Sequence, residues 1–253
     1  MSASSPSLRE RVISGERLCG VLLRMPSEEL VEMLAVAGFD FILLDCEHGP
    51  SDAIPLRQHI SAALMHGTEV LVRVGEGEDA LILRALDSGA AGIVAPHLDT
   101  ALQAREVVAA AHYPPLGRRG FATYGRPGKY GTVTAVAHKA RLAEETLVIG
   151  MIESPDAVGA VDEIVAVEGL DGIMIGAADL AASSGPGDLS VADSRKRVNK
   201  SLAAAGSIRL DLVGDAEAAA AAYDDGAQLV AYNLTHALMA QFATLLEPRP
   251  SRG

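Results

Sequence analysis

The sequence has 253 residues, 49% of them apolar and 21% charged, with a formal net charge of −12. That composition belongs to a globular chain rather than a disordered one, and the excess of acid argues against nucleic acid as a partner, because phosphate binding needs a basic face. Two cysteines, Cys19 and Cys46, exclude a disulfide framework and a cysteine-rich zinc site. The opening residues from Met1 to Pro6 lead into no apolar run, and no stretch approaches the ~20 apolar residues of a membrane helix. The expectation is a cytoplasmic protein with no membrane contact.

Short apolar runs alternate with helical patterns along the whole chain. Strands are expected at Leu18–Leu23, Phe39–Leu44, Val70–Val74, Gly92–Ala95, Leu147–Ile152, Gly172–Ile175, Ile208–Val213 and Leu229–Tyr232. Near-continuous apolar runs of this length suit parallel strands covered on both faces. Between them, helices are expected at Ser27–Ala37, Ala53–Met65, Asp79–Asp87, Thr100–Ala111, Pro155–Val167, Ala192–Ala205, Ala216–Asp224 and Thr235–Leu246, several closed by a glycine such as Gly38 or Gly206. Eight alternations without a break in composition predict an α/β fold, a single-domain (β/α)8 TIM barrel. Residues 18–247 would form the barrel, with an N-terminal extension or helix before it and a frayed tail from Pro248. The competing open sheet finds no dinucleotide fingerprint: Gly75-Glu76-Gly77 lacks a third glycine and reads as a turn.

One stretch breaks the rhythm. From Pro114 to about Thr134 the chain is rich in Gly, Pro, Arg and Tyr. It reads either as a lid that draws an anionic substrate to the site or as an oligomer contact.

In a barrel, working groups stand at the C-terminal ends of strands. Asp45 and His48 follow the second strand; either the Asp holds the His in one tautomer and makes a general base, or Asp45 caps the loop and His48 is structural. Arg73 ends the third strand, where a guanidinium among apolar neighbours needs an anion, either a structural carboxylate or negative charge on a substrate. Glu153 and Asp179 follow the fifth and sixth strands, and two carboxylates brought together need a cation or a proton between them. Oxygen-only ligation favours Mg²⁺ or Mn²⁺. The small residues Gly176, Ala177 and Ala178 precede a helix start whose backbone N–H groups suit a carboxylate. Glu47 either pairs with Arg73 or orders its loop, and His97 stands at the end of the fourth strand. Cys46 reads as a small buried hydrophobe. His59, His66, His112, His138 and His236 read as structural or exposed. No lysine falls on a strand, which argues against a Schiff-base mechanism.

Several segments taken together resemble a family. Gly38-Phe39-Asp40, the run from Asp45 through His48 to Pro50, Leu86-Asp87-Ser88-Gly89-Ala90, the run from Tyr113 to Gly120, Met151-Ile152-Glu153-Ser154 and the run from Ile175 to Leu180 look like the HpcH/HpaI class II pyruvate aldolases. The match runs in consistent order from about Gly20 to Gly185.

The resemblance implies a barrel in a homo-oligomer, a hexamer or trimer, with exchanged terminal helices. It also implies a divalent metal (Mg²⁺ or Mn²⁺, with Co²⁺ as an option) held at Glu153 and Asp179. The substrates it implies are a small 2-oxo acid and an aldehyde or ketone, joined in or released from a 4-hydroxy-2-oxo acid. Arg73 would then stabilise the enolate, and His48 with Asp45 would serve the acid–base step. Met151, Ala177, Ala181, the loop Phe121–Tyr130 and the segment Tyr232–His236 depart from the family pattern. The resemblance leaves two further readings open: a biosynthetic condensation that uses oxaloacetate or another 2-oxo acid, as in siderophore citrate synthases, and a metal- or ligand-binding relative without turnover.

Overall fold

Eight parallel strands close into a barrel in sequence order: β1 (Leu18–Leu23), β2 (Phe41–Asp45), β3 (Glu69–Arg73), β4 (Gly92–Ala95), β5 (Leu147–Ile152), β6 (Gly172–Ile175), β7 (Ile208–Val213) and β8 (Leu229–Asn233), with β8 pairing back onto β1. The computed structural model describes residues 6–49 and 53–248. Five of the eight expected strands keep their bounds, while β2, β3 and β8 shift by one or two residues. The helices are α1 (Leu8–Ile13), α2 (Glu28–Ala37), α3 (Ala53–Met65), α4 (Asp79–Ser88), α5 (Ala101–Ala111), α6 (Ala135–Glu145), α7 (Pro155–Gly159), α8 (Val161–Val165), α9 (Ala177–Ser183), α10 (Val191–Ala205), α11 (Ala216–Asp224) and α12 (Leu234–Leu246). Pro50 and, apart from Pro248, the expected tail lie outside the described residues.

Local chemistry explains the boundaries. Ser27 caps α2 by accepting from the Leu30 N–H, and Gly38 ends it at φ 99°, a conformation that costs other residues strain. The single helix expected from Pro155 to Val167 is two short ones, because Ala160 leaves helical geometry at ψ 4°. Helix α6, started by Thr134 as cap, follows the irregular segment and was not expected.

Side chains alternate across each strand, and the barrel divides its apolar residues accordingly. Leu18, Leu22, Phe41, Leu43, Leu71, Ile149, Met151 and Leu210 fill the interior, while Val21, Ile42, Val70, Val72, Val148 and Ile173 meet the helices. Helix α1 plugs the N-terminal end with Leu8 and Val12. The same alternation that puts Phe41, Leu43 and Asp45 on the inner face puts Leu71 and Arg73 there, and Ile149, Met151 and Glu153. Three ionisable groups therefore stand at one end of an apolar interior. Among the described residues no helix is long and apolar enough to cross a membrane.

Glu69 opens β3 at the opposite, plugged end. Burial, reinforced by Glu145 and Glu10 and opposed by a Leu8 backbone contact and by Arg11, pushes its carboxyl up to about 6 from 4.5. The folded chain holds this proton more tightly than the unfolded chain does. The contribution of Glu69 to stability is therefore fully present below pH 4.5 and is lost as pH climbs through about 6, a loss of roughly 2 kcal/mol once the group is fully ionised. Glu69→Gln removes that slope. Its melting temperature is expected to exceed that of the parent near pH ~7.5 and to match it near pH ~4; parallel pH profiles would show that Glu69 is not responsible.

Candidate active site

Asp45 and Arg73 are direct cross-strand partners in the β2–β3 register. The guanidinium grips the carboxylate with two bonds, Nε to Oδ1 at 2.9 Å and Nη2 to Oδ2 at 2.6 Å, with both side chains buried. Arg24, just past β1, adds Nε to Oδ2 at 2.7 Å. Burial alone would raise the Asp45 carboxyl; Arg73 and Arg24 more than reverse this and hold it below the ordinary carboxylate range. Burial likewise works against the Arg73 charge, and Asp45, Glu47 and Glu153 restore it.

This corrects the expected Asp45–His48 dyad. Asp45 accepts from the backbone N–H of Glu47 and of His48, each at 3.2 Å, and so shapes the loop. It does not hold the His48 ring, because two arginines occupy its lone pairs. The ring of His48 is 56% exposed at the rim, and its nearest carboxylate is Glu47, with Nε2 to Oε2 at 4.0 Å. Of the two readings left open for Glu47, the pairing with Arg73 holds, with Arg73 Nη1 3.3 Å from its Oε2.

Glu153 is buried beyond the end of β5. Its Oε1 accepts the His97 backbone N–H at 2.7 Å and lies 3.1 Å from His97 Nδ1. His97 Nε2 is 3.7 Å from Glu47 Oε1, so one imidazole spans two carboxylates. His97 adopts φ 53°, an unfavourable left-handed conformation costing about 1 kcal/mol that turns both its N–H and its ring toward Glu153. Only the place of His97 at a strand end hinted at this.

Gly176 serves close packing rather than carboxylate binding. Its N–H bonds to the Ile152 carbonyl at 3.1 Å and so is not available to a substrate. A Cβ at Gly176 would collide with Glu153 Oε2 and lie 2.8 Å from Glu153 Cβ, so only glycine leaves that carboxylate its position. The amides of Ala177, Ala178 and Asp179, in the first turn of α9, have no helical partner and face outward from the helix start.

Asp179 is exposed in that turn. Burial, with the negative charges of Glu47 and Asp179 nearby, pushes the Glu153 carboxyl up, against the opposing His97 contacts. Among the described residues Glu153 Oε2 has no hydrogen-bond donor. An acidic, all-oxygen corner with an unpartnered carboxylate oxygen fits a hard divalent cation. Among the described residues no group of three or more His, Cys, Asp or Glu is arranged to hold a metal ion by itself, so two carboxylates would leave open coordination positions.

The segment 114–134 is not a lid over this site. It runs along α4 toward the plugged end, where the Arg126 side chain lies against Gly89 and Leu64 and donates to Ser61 Oγ at 2.5 Å. Arg118 pairs with Asp79 and Glu106, and Arg119 with Asp87, so these two cations are spent on α4 and α5. Cys46 is buried as expected, and burial, with Asp45 and Glu78, pushes its thiol up to about 11, which leaves it unreactive at neutral pH.

Comparison with known proteins shows the family. The HpcH/HpaI aldolase/citrate lyase family matches residues 19–241. The chain belongs to that family. A 2-keto-3-deoxy-L-rhamnonate aldolase of Escherichia coli O17:K52:H18 (strain UMN026 / ExPEC) is 36% identical over 178 residues; the match covers 70% of this chain and only 66% of that relative's length. An HpcH/HpaI aldolase/citrate lyase family protein of Burkholderia cenocepacia J2315 superposes with a TM-score of 0.87 at 32% identity, covering 96% and 99% of the two chains. The citrate synthase SbnG superposes at 0.82 with 29% identity, covering 96% and 98%. The HpcH/HpaI barrel expected from the motifs is thus the one observed.

Proposed function

We propose that this HpcH/HpaI family member is a divalent-metal-dependent carbon–carbon lyase. It would cleave, or form, 4-hydroxy-2-oxo acids through an enolate of pyruvate. The observation that carries the reading is the facing of a buried, charged Arg73 and a buried Glu153 carboxylate with a free oxygen at the mouth of an apolar barrel. A cation held by Glu153 and Asp179 would supply Lewis acidity to the 2-oxo group. The Ala177, Ala178 and Asp179 amides would receive the substrate carboxylate.

His48, exposed at the rim beside Glu47, would take the proton from the 4-hydroxyl. As the C3–C4 bond breaks, the electron pair passes to the pyruvate fragment and the aldehyde leaves. Arg73 spends two N–H donors on Asp45 and lies 3.3 Å from Glu47; its remaining N–H groups would meet the developing negative charge. Proton return to C3 completes pyruvate. The test is exchange of the pyruvate C3 protons in deuterated water with and without chelator. Exchange abolished by chelation and restored by Mg²⁺ or Mn²⁺ supports the reading; metal-independent exchange, or none, refutes it.

The likeness to SbnG keeps a second reading, condensation of oxaloacetate with another carbonyl compound. Product formed from oxaloacetate in preference to pyruvate would favour it.

The working form would be a homo-oligomer. Helix α12 buries none of its residues, and Met239, Phe242, Leu245 and Leu246 are each at least half exposed. A stripe of that kind marks a contact surface. Phe242→Glu with Leu245→Glu is expected to lower the sedimenting mass; a monomeric parent chain at micromolar concentration would overturn the assignment.

A further inference from the structure

The loops after β3 and β4 part beside the catalytic centre and leave a cleft of about 260 Å³. Its inner wall is His97, the residue whose ring touches Glu153 and Glu47. Its floor is apolar, made by Val74, Ile82, Ala95, Leu98, Leu102 and Val107. The other clefts of that size lie elsewhere: around Glu69 and Arg11 at the plugged end, and over α3 and α4 beside Arg57 and Tyr124. Of these four, only this one is lined by His97, the residue in contact with the carboxylates of the site.

The rim carries Glu76, Glu78, Asp79 and Glu106. Arg118 neutralises Asp79 and Glu106, at 3.0 and 2.7 Å. Glu78 accepts the Gly75 N–H at 3.0 Å, Glu76 is exposed, and among the described residues neither has a cationic partner. The entrance is therefore negative over an apolar floor, which repels a carboxylate or phosphate and favours an uncharged, apolar tail.

Resting on the aldolase reading above, we infer that this cleft holds the non-reacting tail of the carbonyl partner, and that the preferred partner is a neutral aldehyde with a short alkyl or aryl tail. The donor 2-oxo acid occupies the Glu153–Asp179 side. The acceptor carbonyl meets it at the barrel mouth, and the tail passes His97 into the gap between the two loops. A space smaller than the ~300–1,000 Å³ used for drug-sized ligands suits a chain of a few carbons or one ring.

The experiment is pyruvate addition to acetaldehyde, butanal, hexanal, benzaldehyde and succinic semialdehyde, with kcat/KM measured for each. Every rate is normalised to pyruvate C3 proton exchange by the same preparation, which removes any general loss of enolisation. The parent protein is expected to gain about fourfold per buried methylene from acetaldehyde to butanal and to disfavour succinic semialdehyde. Leu102, on the exposed edge of the floor, is the place to block the cleft without opening the core. Leu102→Trp is expected to flatten the rise with chain length, and Leu102→Glu to reverse it. A flat profile in the parent, a preference for the anionic aldehyde, or a rise unaffected by both Leu102 variants each overturns the inference while leaving enolisation intact. Absence of C3 exchange in the parent protein instead overturns the aldolase reading, and the inference falls with it.

Discussion

Arg73→Ala is expected to lower turnover by about 10²–10³, the effect of removing one electrostatic donor from a site of developing negative charge. The same substitution has a second consequence. Asp45 loses both bonds of its cross-strand partner and keeps Arg24 and two loop amides. Breaking a buried pair from one side costs up to about 3–5 kcal/mol, and the remaining donors reduce that figure. The melting temperature should fall with activity, so loss of activity alone would not separate chemistry from support.

Arg73→Lys separates them. It restores a positive charge but cannot reproduce the two-bond grip. Stability is expected to recover in part while C3 exchange stays strongly reduced. An Arg73→Ala protein that folds and exchanges pyruvate protons at the normal rate would remove Arg73 from the mechanism.

Glu153→Gln is expected to act in opposite directions on metal binding and on stability. Its ionised carboxylate is held in an unfavourable place by burial and by the charges of Glu47 and Asp179. An amide of the same shape carries no charge and still accepts the His97 N–H through its carbonyl oxygen. The metal-free variant should therefore melt at the same temperature as the parent or higher. Its Mn²⁺ affinity, followed by the electron paramagnetic resonance signal of the free ion, should fall by on the order of 100-fold or more, since outer-shell changes alone are worth 10–100-fold. A purely structural Glu153 would show the reverse: loss of stability with Mn²⁺ binding unaltered. The same measurement on Asp179→Asn asks whether the exposed carboxylate shares the ion.

Both variants depend on interactions between strands, and this marks where local reading stopped. Asp45 and His48 are three residues apart, and proximity along the chain suggested a dyad. The actual partners of Asp45 are 21 and 28 residues away, brought beside it by the β1–β2–β3 pairing. Glu47, whose role was left open, became a junction for Arg73, His48 and His97 because three loops converge at the mouth. His97 was legible only as a polar residue ending a strand. What brings it to Glu153 is a left-handed φ, which no side-chain pattern encodes.

The irregular segment shows the same limit from the other side. Its arginines suggested an entrance for anions in an acidic protein. Ion pairs with α4 and α5 and the descent toward Gly89 place it along the flank instead.

From residues alone came the barrel, the positions of its strands, the place of Asp45, Arg73 and Glu153 at strand ends, and the family. These follow from apolar runs, alternation and capping residues, each decided within a few positions of the chain. Which charges neutralise one another, which amide is already bonded, where the long loop lies and where a cleft opens beside His97 were decided only by the closed sheet. Ion pairs and cavities join groups distant in sequence, and their geometry exists only after every strand has taken its register.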